Sequence, residues 1–215
     1  MLHRHRKRLY QWSAAIALVL VAPGLASAQT ITGTKHDLSA GGAGIAAYGQ
    51  VCVYCHAPHN AAASAPLWNR GMGTGPYTLY TSTTSSTIDM TVTVPGPGSV
   101  SKACLSCHDG SIGLDVVTNV PTGAPSSIGT GKITGGALIG TDLTNDHPIA
   151  VTYDITKDAQ FNAAVAGKVD VLPLYGAGKD QLECATCHNV HSNAIGPFLR
   201  KTNAASALCL TCHKK

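Results

Sequence analysis

The chain has 215 residues with 23 Gly, 11 Pro and 8 Cys, a length that suits one domain of ordinary size or two small ones. Charged residues at 12% and hydrophobic ones at 44% exclude both a solvated charged tail and wholesale disorder. Two Phe and two Trp are too few rings to fill an interior, so something other than aromatic side chains must occupy it.

The first 28 residues read as a secretory signal. Arg4, Arg6, Lys7 and Arg8 form a basic start, Ser13 to Ala22 an apolar run, and Ala26-Ser27-Ala28 a small-x-small cleavage pattern. The apolar run stops at Pro23 and Gly24, well short of the roughly 20 residues a bilayer span needs. Cleavage therefore leaves a chain from Gln29 with no membrane span, and no Cys stands at the new terminus to carry a lipid. The leader's four basic residues are part of the total of 15, so the remainder holds 11 basic against 11 acidic residues and no net charge. Nucleic-acid binding loses its electrostatic support on that count.

Along the remainder, His36 comes first, in KHDLS, followed by Cys52-Val-Tyr-Cys55-His56 with His59 three residues on, and then PLWNR at 66–70. Residues 71–100 are rich in Gly, Thr and Ser, and the β-branched alternation from Thr83 to Val94 predicts a short hairpin. Cys104-Leu-Ser-Cys107-His108 is next, then a Gly/Pro/Ser/Thr-rich stretch over 110–146 with little periodicity. His147 follows in NDHPI, and Asp158 to Ala166 reads as a helix with Thr156 as its N-cap. Cys184-Ala-Thr-Cys187-His188 with His191, and Cys209-Leu-Thr-Cys212-His213, close the chain.

All eight cysteines thus lie in four C-x-x-C pairs, each followed at once by His. That motif attaches c-type haem. Two thiols on one helical turn add to the two vinyl groups of one haem, and the next residue places an imidazole under the iron. Structural zinc uses C-x-x-C pairs but requires no His directly after each. Disulfides within so short a ring make poor staples for long loops. Thioredoxin-like motifs come with a βαβ pattern that is missing around these pairs.

Four irons have eight axial positions. Once His3 and His5 leave with the leader, eight histidines remain: His56, His108, His188 and His213 in the motifs, and His36, His59, His147 and His191 outside them. The match predicts bis-histidine ligation throughout. Met72 and Met90 are the alternatives, and each sits in a Gly/Thr-rich stretch with no ligand signature. His59 and His191 each follow a proximal His by three residues, side by side on a helical turn. Neither then reaches the far face of its neighbour's haem, so each must serve a different one and the haems must pack closely. Each half offers an early His, one C-x-x-C-H-x-x-H and one plain C-x-x-C-H. This predicts a single tetrahaem domain over 29–215 built from two dihaem units, 29–146 and 147–215. The expected fold is that of a multihaem c-type cytochrome: loops and short helices wrapped around four covalently bound haems, with little sheet beyond the hairpin at 83–94.

The stretch ECATCHNVHSNAIGPFLRKTNAASALCLTCH resembles the doubled-CXXCH cytochromes. Together with KHDLS, CVYCHAPHN, PLWNR, CLSCHDGSIGLD and NDHPI, residues from about 35 to 215 resemble the tetrahaem outer-surface cytochromes of that kind. The resemblance implies a homopolymer: an extracellular filament, or nanowire, in which one subunit lends a histidine to a haem of the next. His36, near a free N-terminus, is the residue expected in that role.

The expected function is long-range electron transfer in extracellular respiration, from other redox proteins as donors to extracellular acceptors. A monomeric periplasmic shuttle with the same four haems is the alternative, and a multihaem reductase the third. Catalysis at haem needs an open axial position, and the histidine count leaves none.

Overall fold

The computed structural model describes residues 30–42, 44–62, 65–73, 75–81, 89–96, 98–124 and 131–214. The leader and residues 83–88 of the predicted hairpin lie outside those residues.

Regular structure is sparse, as Gly, Pro, Ser and Thr dictate. The longest element among the described residues is α1, Val100–His108, which carries the second motif. Two further helices, α2 (Cys184–Cys187) and α3 (Cys209–Cys212), are single turns spanning the third and fourth cysteine pairs. Strand β1 (Val151–Thr152) pairs antiparallel with β4 (Gln181–Leu182). A tight hairpin joins β2 (Lys168–Val169) to β3 (Leu172–Pro173), with Asp170 in the left-handed region at its turn (φ 54°). Among the described residues no helix is long and apolar enough to cross a membrane.

Among the described residues, the buried apolar side chains form two small clusters. One gathers Val151, Tyr153, Val169, Leu172, Leu174, Leu182 and Cys212, with Met90, Val92 and Phe161 against it. The other gathers Ile45, Tyr54 and Leu114, with Cys55 and Cys107 against it. Haem-motif cysteines sit in both, so the attachment points are part of what core there is. The first cluster crosses the division between the expected halves, since Met90 and Val92 pack on the segment after His147.

Two local expectations change. The described end of the predicted hairpin does pair as a strand, but with β1: Val92 bridges Val151, and Thr93 N–H donates to Ala150 O at 3.0 Å. The helix expected over 158–166 does not form. Asn162 N–H donates to Cys212 O and Lys214 N–H to Gln160 O, both at 2.8 Å, so Phe161 bridges His213 and the backbone runs alongside the last motif. A nine-residue helix is marginal alone, and pairing with a fixed segment outweighs it. Thr156 turns back instead, its hydroxyl donating to Asp154 Oδ1 at 2.7 Å.

Candidate haem-binding sites

Each C-x-x-C pair occupies one helical turn, which puts both sulfurs on one side. At three of the four motifs the His N–H closes that turn on the first cysteine's carbonyl: His56 to Cys52 at 2.8 Å, His188 to Cys184 at 3.1 Å and His213 to Cys209 at 2.9 Å. His188 and His213 are already extended (ψ 146° and 141°), so the helix ends at the second cysteine. His188 and His191 therefore do not lie side by side on a helical turn, contrary to expectation. None of the eight cysteines is disulfide-bonded.

The proximal rings are oriented through the backbone. His56 Nδ1–H donates to Pro66 O at 2.8 Å, His108 Nδ1–H to Ala137 O at 2.7 Å and His188 Nδ1–H to Pro197 O at 3.1 Å. A carbonyl only accepts, so each bond fixes the tautomer and leaves the Nε2 lone pair for a metal. His147 makes the same bond to Pro148 O at 3.0 Å.

Opposite these rings stand the others. His36 lies 6.1 Å from His108, His191 lies 6.2 Å from His56, and His147 lies 6.4 Å from His213, centroid to centroid. Two in-line metal–imidazole bonds of roughly 2.0–2.1 Å, with each ring centre about 1.1 Å further out, place centroids about 6.2 Å apart. Three pairs thus have the separation a six-coordinate iron requires, and the chain fits haem on that measure. Two buried donors, Arg70 Nε and Trp68 Nε1, have no acceptor among the described residues, as expected beside a group with carboxylate side chains. Burial, followed by the neighbouring His108, His188 and His191, holds His36 down at about 4, so it presents a neutral ring. Burial and His147 lower His213 as well.

Of the predicted ligands, His59 and His188 remain. His59 is exposed, and neither has an opposing imidazole among the described residues.

The motifs adjoin. The Cys104 and Cys184 side chains are near enough to shift one another, Cys104 upward and Cys184 downward, so the second and third motifs are neighbours. Burial pushes Cys55 and Cys187 up to about 11, the mark of apolar surroundings. Glu183 joins α1 to α2. Its buried carboxylate accepts Ser101 N–H at 3.1 Å and the Ser99 hydroxyl at 2.9 Å, and it forms a capping box with Thr186. Cys184 N–H in turn donates to Ser101 Oγ at 2.9 Å.

Several of these roles have no signature in the sequence. Glu183 gives no signal, since its partners at the start of α1 are more than 80 residues away. Arg70 is fully buried, donating to Leu114 O and Gly113 O at 2.6 and 2.5 Å. The prolines do leave a trace: Pro66-Leu67-Trp68-Asn69-Arg70 and Pro197-Phe198-Leu199-Arg200 follow the first and third motifs at similar distance.

Residues 177–215 match the doubled CXXCH motif family. The match covers the third and fourth motifs and supports a multihaem c-type cytochrome, a class that works in electron transfer. No curated protein matches the chain.

Proposed function

We propose that the protein is an exported tetrahaem c-type cytochrome that moves electrons over long distances as the subunit of an extracellular filament. The observation that carries this reading is the histidine arrangement: three opposed pairs within the chain, with His59 and His188 left over. Haem bound at these motifs supplies one-electron iron chemistry with no substrate bond made or broken. The paired histidines would hold each iron low-spin between two imidazoles, and ligation without methionine would keep potentials low. The nearness of Cys104 to Cys184, and the placement of His191 opposite His56, bring neighbouring haems close enough for electrons to pass.

The leftover pair supports the polymer. An exposed His59 on one subunit and an exposed His188 on the next, neither with an opposing imidazole among the described residues, complete the count when two copies meet. His36, expected to lend itself on the resemblance, lies opposite His108 in its own chain, and the lending role passes to His59. With every axial position filled in the polymer, we read the protein as an electron carrier rather than a reductase. The donors are other redox proteins and the acceptors lie outside the cell.

His59→Ala tests this reading. Wild-type protein should sediment as a polymer with all four haems low-spin; the variant should sediment as a monomer with one haem high-spin. A variant that keeps both its size and its ligation contradicts the role of His59. Wild type that is itself monomeric favours the periplasmic shuttle.

A further inference from the structure

The opposed imidazoles differ in more than their partners. The planes of His36 and His108 are inclined at 73° and those of His147 and His213 at 72°, whereas His56 and His191 lie at 21°. Two pairs are crossed and one is nearly parallel.

The chain has two phenylalanines, and each packs on a crossed pair. Phe198 lies 4.5 Å from His36 at 46°, and Phe161 lies 4.6 Å from His213 at 48°. The parallel pair has Trp68 instead, edge-on to His56 at 6.0 Å. Hydrogen bonding is alike in the three pairs, with one imidazole anchored through Nδ1 and the other not among the described residues; in the parallel pair the anchored ring is His56, on Pro66. In each crossed pair one imidazole is anchored through Nδ1, His108 on Ala137 and His147 on Pro148. The other ring has no such bond among the described residues, and His36 Nδ1 is buried without a partner. A ring on a broad χ2 torsion with no hydrogen bond takes the plane its packing allows. Here that packing is a phenylalanine face.

Both faces are themselves held. Phe198 is buried, its N–H donating to Asn193 Oδ1 at 3.3 Å. Phe161 pairs through its backbone with His213 and takes the edge of Tyr153 at 5.6 Å.

We propose that Phe198 and Phe161 are positioning residues that hold the axial imidazoles crossed at two of the four irons, so that one chain carries two electronic classes of low-spin haem. The inference rests on the bis-histidine reading above. An imidazole shares π density with the iron d orbital that lies perpendicular to its plane. Parallel rings act on the same orbital and separate it from its partner. Crossed rings act on different orbitals and leave the two nearly degenerate. Near-degeneracy gives a strongly anisotropic paramagnetic resonance signal with a large maximum g value, whereas separated orbitals give an ordinary rhombic one. Ligand orientation thus tunes the iron in addition to ligand identity.

Low-temperature electron paramagnetic resonance of the oxidised, fully haem-loaded chain tests this. The expected wild-type spectrum contains a large-g component from the His36/His108 and His147/His213 irons beside a rhombic component from His56/His191. Phe198→Leu and Phe161→Leu keep an apolar side chain but remove the flat face. Each should diminish the large-g component by one iron with haem content and low-spin absorption unchanged. Phe198→Tyr and Phe161→Tyr retain the face and should retain the component, which keeps the test open if a leucine variant fails to take up haem. A wild-type spectrum of rhombic signals alone overturns the proposal while leaving bis-histidine ligation in place. High-spin intensity from the paired irons overturns the ligand pairs and the proposal together. Unchanged signals in folded leucine variants, or their loss in the tyrosine variants, remove the phenylalanines from the account.

Discussion

The segments 52–70 and 184–200 are built alike and end differently. In both, the motif His donates Nδ1–H to a proline carbonyl, at Pro66 or Pro197. In both, the residue after that proline is left-handed, Leu67 and Phe198 each at φ 58°. The next residue bridges the His, as Trp68 does to His56 and Leu199 to His188. The one after that donates N–H to the second cysteine's carbonyl, Asn69 to Cys55 and Arg200 to Cys187. Yet His191 faces an imidazole and His59 faces solvent. The shared pattern fixes the motif histidine in a pose that would suit the proximal side of a haem, while the destination of the trailing histidine depends on what is packed against it.

Removing the cofactor should erase both segments together. A chain with its eight cysteines changed to serine should lose most of its ordered circular dichroism, because two small apolar clusters cannot offset the ordering of so many loops. A native-like spectrum from that chain would show that the segments fold without haem.

The trailing histidines separate the segments next. His191→Ala should leave the iron at His56 high-spin in any assembly state, whereas the effect of His59→Ala should come with disassembly. Magnetic circular dichroism with sedimentation checks both. Identical behaviour of the two variants would erase the distinction.

Capping distinguishes the segments by a smaller amount. Glu183 caps α2 and binds the start of α1, and the first motif has Val51 at the equivalent position. Glu183→Ala should cost about 1–3 kcal/mol through lost capping and buried donors left unpaired. Val51→Asp, which supplies a capping side chain, should gain up to about 1 kcal/mol. Denaturant titration of the loaded protein measures both, and a neutral Glu183→Ala would deny it a structural role.

The smallest effect lies at the left-handed residues. Leu67 is 53% exposed, so Leu67→Gly should relieve strain for a gain of up to about 1 kcal/mol. Phe198→Gly should instead destabilise, because it also removes a buried ring. Equal effects at the two positions would contradict the packing assigned to Phe198.

What the sequence discloses is the class of covalent chemistry. Cysteine spacing points to attachment of haem c, and the eight histidines that would remain without the leader equal the axial positions of four irons, the number proposed. Pairing was not legible, because His36 meets His108 across 72 residues of chain with no local signature. The helix expected over 158–166 was a sound local reading, overridden by the last motif drawing Asn162 and Gln160 into backbone pairing. Phe198 and Phe161 read as two scarce aromatics, and only their placement against His36 and His213 gives them a role. The prolines at 66 and 197 were visible, but their carbonyls as anchors for His56 and His188 require the fold.

Cryo-electron microscopy of the haem-loaded protein from the extracellular fraction tests the central claim most directly. Filaments are expected in which His59 of one subunit meets the iron held by His188 of the next, with His36, His147 and His191 serving their own chain. A discrete single-chain particle with all four irons ligated from within would contradict it.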